Sequence, residues 1–272
     1  MAPNSSRPSS SDRWQHLPWR WGAQLIAAIT FYTRIPIPGH WPMNFSGIAR
    51  YAPLVGLGIG GILAISDVSL AWLGMPVVTR SGLLVAVWLL LTGGLHLDGA
   101  MDTADGLAVP DKTRRLAVMA DSRAGAFGVM VAVVLVGLKG VALIDLEALR
   151  WFGIMAAAGW GRWGQVIAIA RYPYLKAEGK GAFHKIHARP TTDWLLGLIA
   201  LFGLCGVAFL CRPTEGVFAL GTTLGGGAIA MWVGAWLNRQ LGGHTGDTYG
   251  ATVEWTEALL LCLMTGLQSA LS

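Results

Sequence analysis

Seven apolar stretches, each about long enough to cross a bilayer, dominate this sequence of 272 residues. A spanning helix needs about 20 mostly apolar residues. Only 13% of the chain is charged, against about 25% in an ordinary soluble domain. The sequence therefore predicts an all-α, polytopic membrane bundle rather than a soluble all-helical protein with a very large core. The predicted spans are Tyr51–Leu73, Ser81–Leu97, Ala124–Ile144, Trp151–Arg171, Trp194–Cys211, Val217–Leu237 and Thr256–Leu271.

The N-terminal region differs from the predicted spans. Residues 1–20 are predicted to be a flexible or disordered tail, because Ser and Pro are frequent at its start, and residues 21–272 to be one integral membrane catalytic domain. The apolar run Gly22–Tyr32 is too short to cross and is followed by Pro36 and Pro38, so we expect a short interfacial or re-entrant helix there. No cleavable signal peptide is expected.

Composition excludes other kinds of site. The cysteines lie in apolar stretches without a CxxC pair, so neither a disulfide framework nor a zinc site is expected. The basic residues do not gather in one patch with interleaved aromatics, and we therefore expect no nucleic-acid partner.

Charge asymmetry gives the predicted orientation. If the seven segments cross in alternation, residues 1–50, 98–123, 171–193 and 238–255 lie on one side of the membrane. Because cationic loops favour the cytoplasm, these segments are predicted to be cytoplasmic. The protein is expected in the cell (inner) membrane. Fifteen of the 20 Lys and Arg residues lie on this side: Arg7, Arg13, Arg20, Arg34, Arg50, Lys112, Arg114, Arg115, Arg123, Arg171, Lys176, Lys180, Lys185, Arg189 and Arg239.

Three aspartates follow the apolar run Gly82–Leu95 in the stretch "GGLHLDGAMDTADGL". Asp98, Asp102 and Asp105 are spaced i, i+4 and i+7, so on a helix they share one face. Close carboxylates repel one another unless a cation lies between them, and an all-oxygen ligand set favours Mg²⁺ or Mn²⁺. The alternative is that the helix has already left the bilayer and the aspartates are solvated.

Two more polar stretches lie at the predicted cytoplasmic boundary. "ADSRAGAFGVM" offers Asp121 and Arg123, and an arginine is suited to binding phosphate. "LGGHTGDTYGATVEWTE" offers Asp247, together with a glycine-rich backbone able to present N–H groups to a phosphate. A glycine-rich segment before a membrane helix is also consistent with a packing or hinge feature.

These motifs, in this order, resemble the cobalamin synthase family, also called adenosylcobinamide-GDP ribazoletransferases. "DSRAGAFG", "GGHTGDTYGA", "FYTRIPIP" and "YAPLVGLGIGG" carry the resemblance together with the aspartate motif. The chain departs from the family pattern at Ala100, Met101 and Tyr249, none of them acidic, and His244 lies at a variable position and is assigned no role.

The resemblance implies a Mg²⁺-dependent transferase of cobalamin biosynthesis. Its substrates would be adenosylcobinamide-GDP and α-ribazole, or α-ribazole 5′-phosphate, and GMP would be released by displacement at phosphorus. Membrane lipid is the expected surrounding partner, and the sequence leaves open whether the chain forms a homo-oligomer.

Candidate roles follow from residue type and position. The metal-ligand candidates are Asp98, Asp102, Asp105 and Asp121, and the candidates for catalysis are Asp102, Asp105 and Asp247. The substrate-binding candidates are Arg34, His96, Arg123, Arg162, Thr245, Glu254 and Glu257. Arg162 is included because an arginine within a span is by default functional or paired.

Two other functions compete with this interpretation. A phospholipid synthase of the CDP-alcohol type is disfavoured, because the sequence after Asp102 reads "TADGLAVP" and lacks that family's Ala-Arg pair and later aspartates. An ion-coupled transporter would place acids near the middle of the bilayer, whereas here they gather at the ends of spans.

Overall fold

The computed structural model describes residues 17–176 and 180–271, and within these ranges the secondary structure is helical apart from one isolated bridge between Tyr174 and His244. Short 3-10 turns at Ile48–Tyr51 and Pro213–Glu215 precede α2 and α10. The helices are α1 (Leu17–Tyr32), α2 (Ala52–Trp72), α3 (Val77–Thr92), α4 (Leu95–Ala108), α5 (Arg115–Val118), α6 (Ala126–Asp145), α7 (Arg150–Arg171), α8 (Lys180–Ile186), α9 (Asp193–Cys211), α10 (Gly216–Leu241) and α11 (Gly246–Leu271).

The predicted flexible tail falls mainly outside the described residues, which begin at Leu17. Leu17–Arg20 already belong to α1, so the prediction of a tail as far as residue 20 was wrong at its C-terminal end. The helix predicted over Gly22–Tyr32 is present as the remainder of α1.

Among the described residues, four helices are long and apolar enough to span a membrane individually: Ile48–Trp72, Ala126–Asp145, Asp193–Cys211 and Pro213–Leu241. The pair α3 and α4 meets the same test only as one unit bent by 90°. Helices α7 and α11 have 22 and 26 residues, or about 33 and 39 Å at 1.5 Å per residue, but they are more polar. The all-α polytopic class is confirmed, while the number seven remains a prediction.

Helix α7 forms the centre of the bundle and packs against α2, α9, α10 and α11. Small residues allow this close packing, as is usual between membrane helices. An added Cβ at Gly56 of α2 would lie 2.3 Å from the Ala158 carbonyl oxygen of α7. At Gly60 it would lie 2.5 Å from the Met155 Cα. Glycine at these two positions therefore sets the distance between α2 and α7.

Four buried charges join α6, α7 and α11. The Lys139 Nζ contacts carboxylates of both Glu254, at 2.6 Å, and Glu257. Arg162 donates to Glu257 at 2.7 Å and to the Ala158 carbonyl at 2.8 Å. The Lys139 ammonium also lies 4.7 Å from the centre of the Trp88 ring. Two cations and two anions balance, so the bundle interior holds this cluster without formal net charge.

We expect Lys139→Met to destabilise the folded state, because it leaves Glu254 and Glu257 buried with only the Arg162 cation nearby. Removing one member of a buried ion cluster costs about 3 to 5 kcal/mol. Denaturant unfolding in detergent, followed by circular dichroism, measures the loss. Lys112→Met, at an exposed loop position, is the control and should unfold like wild type. Equal stability of all three proteins would contradict the role assigned to Lys139.

Candidate active site

Two consecutive glycines turn the chain where the apolar run ends. Gly93 and Gly94 have φ values of 61° and 70°, a left-handed conformation that glycine adopts without steric cost. Their N–H groups donate to the carbonyls of Leu90 and Leu89, which ends α3, and α4 then leaves at 90°. The predicted span Ser81–Leu97 was therefore wrong at its C-terminal end. The aspartates lie on a separate helix that has turned away from the apolar one.

Helices α4 and α11 touch through their backbones. A Cβ at Gly99 would lie 2.6 Å from the Asp247 carbonyl oxygen, and one at Gly250 would lie 2.8 Å from the His96 carbonyl oxygen. Only glycine permits this separation. The contact brings Asp98, next to Gly99, and Asp247 to the same cavity.

Two cavities meet at Asp98, beside this contact. The first, which we call the recess, has a volume of about 290 Å³, and the second, the outer cavity, has about 760 Å³. Phe31, Leu95 and Asp98 line both of them. The polar and aromatic lining of the recess consists of Phe31, His96, Asp98, Gln165, Tyr174, Lys176, His184, Asp247 and Tyr249. Arg34, Thr30, Thr33, Thr92 and Met101 are among the residues that line the outer cavity.

Asp98 and Asp102 remain without a protein cation of their own in the described part of the chain. Asp98 is exposed and Asp102 is half-buried. Burial, and then the negative charges of Asp98 and Asp247, raise the pKa of Asp102 to about 6, although Lys176 acts in the opposite direction. The repulsion expected from the sequence spacing is therefore present at Asp102, and a cation placed here would relieve it.

Asp247 is held by Lys176, whose Nζ lies 2.9 Å from its carboxylate. A short backbone pairing positions the lysine: Leu175 N–H donates to the His244 carbonyl, and His244 N–H donates to the Pro173 carbonyl, each at 2.8 Å. The buried imidazole of His244 contacts Thr248 and the Gly234 carbonyl. His244, to which the sequence assigned no role, thus helps to hold this loop in place.

Asp105 has a different environment from the other two aspartates of α4. Its carboxylate accepts hydrogen bonds from the backbone N–H groups of Gly125 and Gly128, both at 2.8 Å, at the start of α6. Both oxygens are thus engaged in joining α4 to α6. In this structure Asp105 stabilises a helix N-terminus, where a negative charge is favourable, instead of facing the recess.

Asp121 and Arg123 form an ion pair with each other, at 2.7 Å, and do not line either cavity. The hydrogen bonds from Arg123 lower the pKa of Asp121 to about 2. The side chain of Arg123 is 87% exposed. The structure therefore does not bring this metal-ligand candidate and this phosphate-binding candidate to the other site residues.

Four of the predicted substrate-binding residues are buried away from the cavities. Arg162, Glu254 and Glu257 belong to the internal ion cluster and are almost fully buried, since each residue there finds its compensating charge inside the protein. Thr245 is fully buried, and its hydroxyl contacts Asp247 and the Thr248 N–H at the start of α11. The structure thus shows ion-pair contacts for three of these residues and a capping contact for Thr245, and their substrate contacts stay a prediction.

Arg34 and His96 do lie at the cavities. Arg34 is exposed at the outer cavity, with its side chain against Gly93. His96 is 2% exposed, and neither of its ring nitrogens has a hydrogen-bond partner among the described residues. Burial, and then the positive charge of Arg162, lower the pKa of His96 well below its usual value. The imidazole is therefore neutral and able both to donate and to accept a hydrogen bond.

Sequence reasoning missed Lys176, Gln165 and His184 as recess residues. The Gln165 Oε1 and both His184 ring nitrogens are buried without a partner among the described residues, and burial lowers the pKa of His184 to about 4. The loop containing Lys176 and His184 looks like an ordinary cationic loop in the sequence. The recurrence of polar residues on the predicted cytoplasmic side could have indicated Lys176 and His184, whereas Gln165 lies within the predicted span Trp151–Arg171.

No three His, Cys, Asp or Glu side chains within residues 17–176 and 180–271 converge on a point where they could hold a metal ion by themselves. The predicted set of four aspartates is therefore not assembled. Asp98 and Asp247 line the recess from the two sides of the helix contact, and Asp102, which lines neither cavity, is close enough to feel the charge of both.

Comparison with known proteins decides the family. Residues 24–265 match the family described as cobalamin-5-phosphate synthase. The chain belongs to this family. The matched region includes most of α1 and most of α11, and it contains every residue of the recess and the outer cavity.

Relatives within the cobalamin-5-phosphate synthase family match almost end to end. A protein of Trichormus variabilis named adenosylcobinamide-GDP ribazoletransferase is 55% identical over 89% of this chain and 96% of its own length. One of the same name from Synechococcus elongatus is 54% identical over 87% of this chain and 94% of its own length. A third protein of this name, from Prochlorococcus marinus, is 38% identical over 92% of this chain and 98% of its own length. No solved structure matches the chain.

We expect Gly99→Val to force α4 and α11 apart, because its branched side chain would meet the Asp247 backbone. Overpacking of this kind costs about 1 to 3 kcal/mol, measured as a lower unfolding midpoint in detergent. Gly137→Ala in α6, where an added Cβ meets nothing within 4 Å, is the control and should be neutral or slightly stabilising. A Gly99→Val protein as stable as the control would show that the helix contact is not tight.

Proposed function

We propose that this protein is an adenosylcobinamide-GDP ribazoletransferase, an integral membrane enzyme of cobalamin biosynthesis. It would join adenosylcobinamide-GDP to α-ribazole, or to α-ribazole 5′-phosphate, and release GMP. The observation that carries the proposal is the meeting of two cavities at Asp98, opposite Asp247, in a chain 55% identical to a protein of that name. A reaction between two substrates needs two binding sites that share one border.

We assign the smaller acceptor to the recess. At about 290 Å³ it lies at the lower end of ligand-pocket volumes, which suits a nucleoside and excludes a corrin ring. Its rings, Phe31, Tyr174 and Tyr249, can stack on a planar base, and the unpartnered polar atoms of Gln165 and His184 can bond its edges. The outer cavity then takes the large corrinoid donor.

The donor's phosphates would lie near the border of the two cavities. Arg34 lines the outer cavity and Lys176 the recess, so a phosphate group at Asp98 has a cation available on each side. A guanidinium binds phosphate in a two-pronged geometry, whereas an ammonium acts as a point charge. These two residues would orient the phosphorus atom and offset its charge.

The carboxylates fit a divalent cation that arrives with the substrate. Mg²⁺ characteristically uses one or two carboxylates, waters and substrate phosphates instead of an all-protein cage. Asp98 and Asp102 share a face of α4 and carry uncompensated negative charge, so we propose that they hold the ion. Bound there, Mg²⁺ would neutralise phosphate oxygens and stabilise the departing GMP.

Asp247 is the residue we propose as proton acceptor. It lines the recess, where the attacking hydroxyl of the ribazole would lie, and the Lys176 ammonium 2.9 Å away holds its carboxylate in place. The hydroxyl oxygen would attack phosphorus, its proton would pass to Asp247, and the electron pair of the breaking P–O bond would leave with GMP.

We also propose that the site faces the cytoplasm. Asp98, Lys176 and Asp247 come from three different segments that the distribution of Lys and Arg assigns to that side. The structure brings these segments together around one cavity, which supports a common side for all three.

The function is tested with purified protein in detergent, given adenosylcobinamide-GDP, α-ribazole and Mg²⁺. We expect GMP release that depends on all three additions. Asp102→Asn should keep the fold and lower the rate by at least about a hundredfold, because it removes a charge aimed at the metal and phosphates. Asp111→Asn, on an exposed loop, is the matched control.

Two results would refute this assignment. One is the absence of GMP above a metal-free control from protein shown by circular dichroism to be folded. The other is a wild-type rate in the Asp102→Asn variant, which would mean that this carboxylate has no part in the reaction.

Metal affinity should depend on pH through Asp102. A cation binds the deprotonated carboxylate, and the Asp102 pKa is about 6, so affinity is highest above pH 6 and falls as protons compete below it. We expect a loss of up to about tenfold per pH unit between pH 6 and 5, measured as free Mn²⁺ by electron paramagnetic resonance. Asp121→Asn should keep the wild-type profile, since Asp121 lines neither cavity and has a pKa of about 2. An affinity that does not change between pH 7 and 5 would exclude Asp102 as a ligand.

A further inference from the structure

A basic cavity of about 340 Å³ lies apart from the recess and the outer cavity and shares no lining residue with either. It is formed where two membrane spans begin. Arg50 lies at the start of the span Ile48–Trp72, and Asp193 is the first residue of α9. Arg20 of α1 and Arg189, just before α9, complete its charged lining.

The cavity carries excess positive charge. Three arginines and one carboxylate, Asp193, line it. That carboxylate already accepts a hydrogen bond from the backbone N–H of Arg189 at 2.7 Å. Across residues 17–176 and 180–271, none of the three guanidinium groups forms an ion pair. The single carboxylate therefore cannot balance the three cations, and the cavity keeps a net positive charge.

Arg50 is held in a fixed orientation at this cavity. Gln24, which is 5% exposed, donates to the Ser46 carbonyl at 2.7 Å and accepts a hydrogen bond from the Arg50 Nη2. The guanidinium also lies 4.9 Å from the centre of the Tyr51 ring. Its Nε is buried and has no hydrogen-bond partner among the described residues. A preoriented guanidinium with free donors matches the geometry of a phosphate.

The surroundings of the cavity indicate the membrane surface. Trp21 lines it and is 61% exposed, and Trp19 beside it is 66% exposed. Exposed tryptophans are enriched where lipid headgroups meet the hydrocarbon. Basic pockets between the ends of membrane helices bind anionic headgroups. A phosphate that reaches this cavity most readily belongs to the lipid around it.

We propose that this cavity binds the phosphate of an anionic phospholipid, with phosphatidylglycerol as the probe chemistry. Arg20, Arg50 and Arg189 would contact the phosphate oxygens, while the acyl chains lie along the outer faces of α2 and α9. This lipid site is independent of the transferase reaction assigned to the other two cavities.

Native mass spectrometry of the whole, delipidated protein in detergent tests the proposal by titration with phosphatidylglycerol or phosphatidylcholine. We expect wild type to retain one phosphatidylglycerol in clear preference to phosphatidylcholine. Arg20→Gln combined with Arg189→Gln should weaken this retention about tenfold or more, because two charged contacts are lost. The control is Arg114→Gln combined with Arg212→Gln, which removes the same charge from exposed positions outside the cavity and should bind like wild type.

Each other outcome overturns the proposal. Equal retention of the two lipids by wild type would show that the phosphate charge is not recognised. Unchanged retention in the Arg20 and Arg189 variant, or an equal loss in the control, would place the lipid elsewhere or attribute it to net charge. Displacement of the lipid by millimolar inorganic phosphate or glycerol phosphate would indicate a soluble anion as the ligand instead.

Discussion

The backbone contact between α4 and α11 is the constraint on which the candidate active site depends. Gly99 and Gly250 leave no room for a side chain between these helices. The close approach sets Asp98 beside the Asp247 segment and places their shared cavity next to the bend at Gly93 and Gly94. A larger separation would divide the acidic group and open the border between the two cavities.

The buried ion cluster also helps to fix the position of α11, on which this contact depends. Glu254 and Glu257 follow Asp247 along α11 by about two and three turns, and Lys139 and Arg162 bind them from α6 and α7. Desolvated charges must find partners, so the position of α11 is determined by both neighbouring helices. The same helix thus carries ion-paired carboxylates in its buried middle and, near its start, Asp247, which lines the recess.

The polar residues fall into two groups, according to whether a partner within the protein balances their charge or accepts their hydrogen bonds. Asp105, Asp121, Glu254, Glu257 and Thr245 each find their partners inside the protein. Asp98 and Arg34 line an open cavity, and Asp102 lies beside Asp98 on α4 without lining either cavity; none of these three has an ion-pair partner within the described ranges. Charge that the fold leaves unbalanced is what a metal ion and a phosphate-bearing substrate could neutralise, which is why the functional proposal rests on the second group.

Some properties follow from the sequence alone, because they depend on local pattern. Apolar runs about as long as a bilayer crossing require helices, and the i, i+4 spacing puts Asp98 and Asp102 on one face wherever that helix lies. The aspartate motif, together with the other motifs in their order, also indicated the family to which the chain belongs.

Other properties were decided only by the tertiary structure, because they depend on which segments meet. Nothing in the spacing of Asp105 shows that its carboxylate caps α6, and nothing near Arg162 shows that Glu257 neutralises it. Lys176 reaches Asp247 across 71 residues through a two-bond backbone pairing that no local pattern predicts. Sequence determines which groups carry charge, whereas the partner that balances a charge is chosen by three-dimensional proximity.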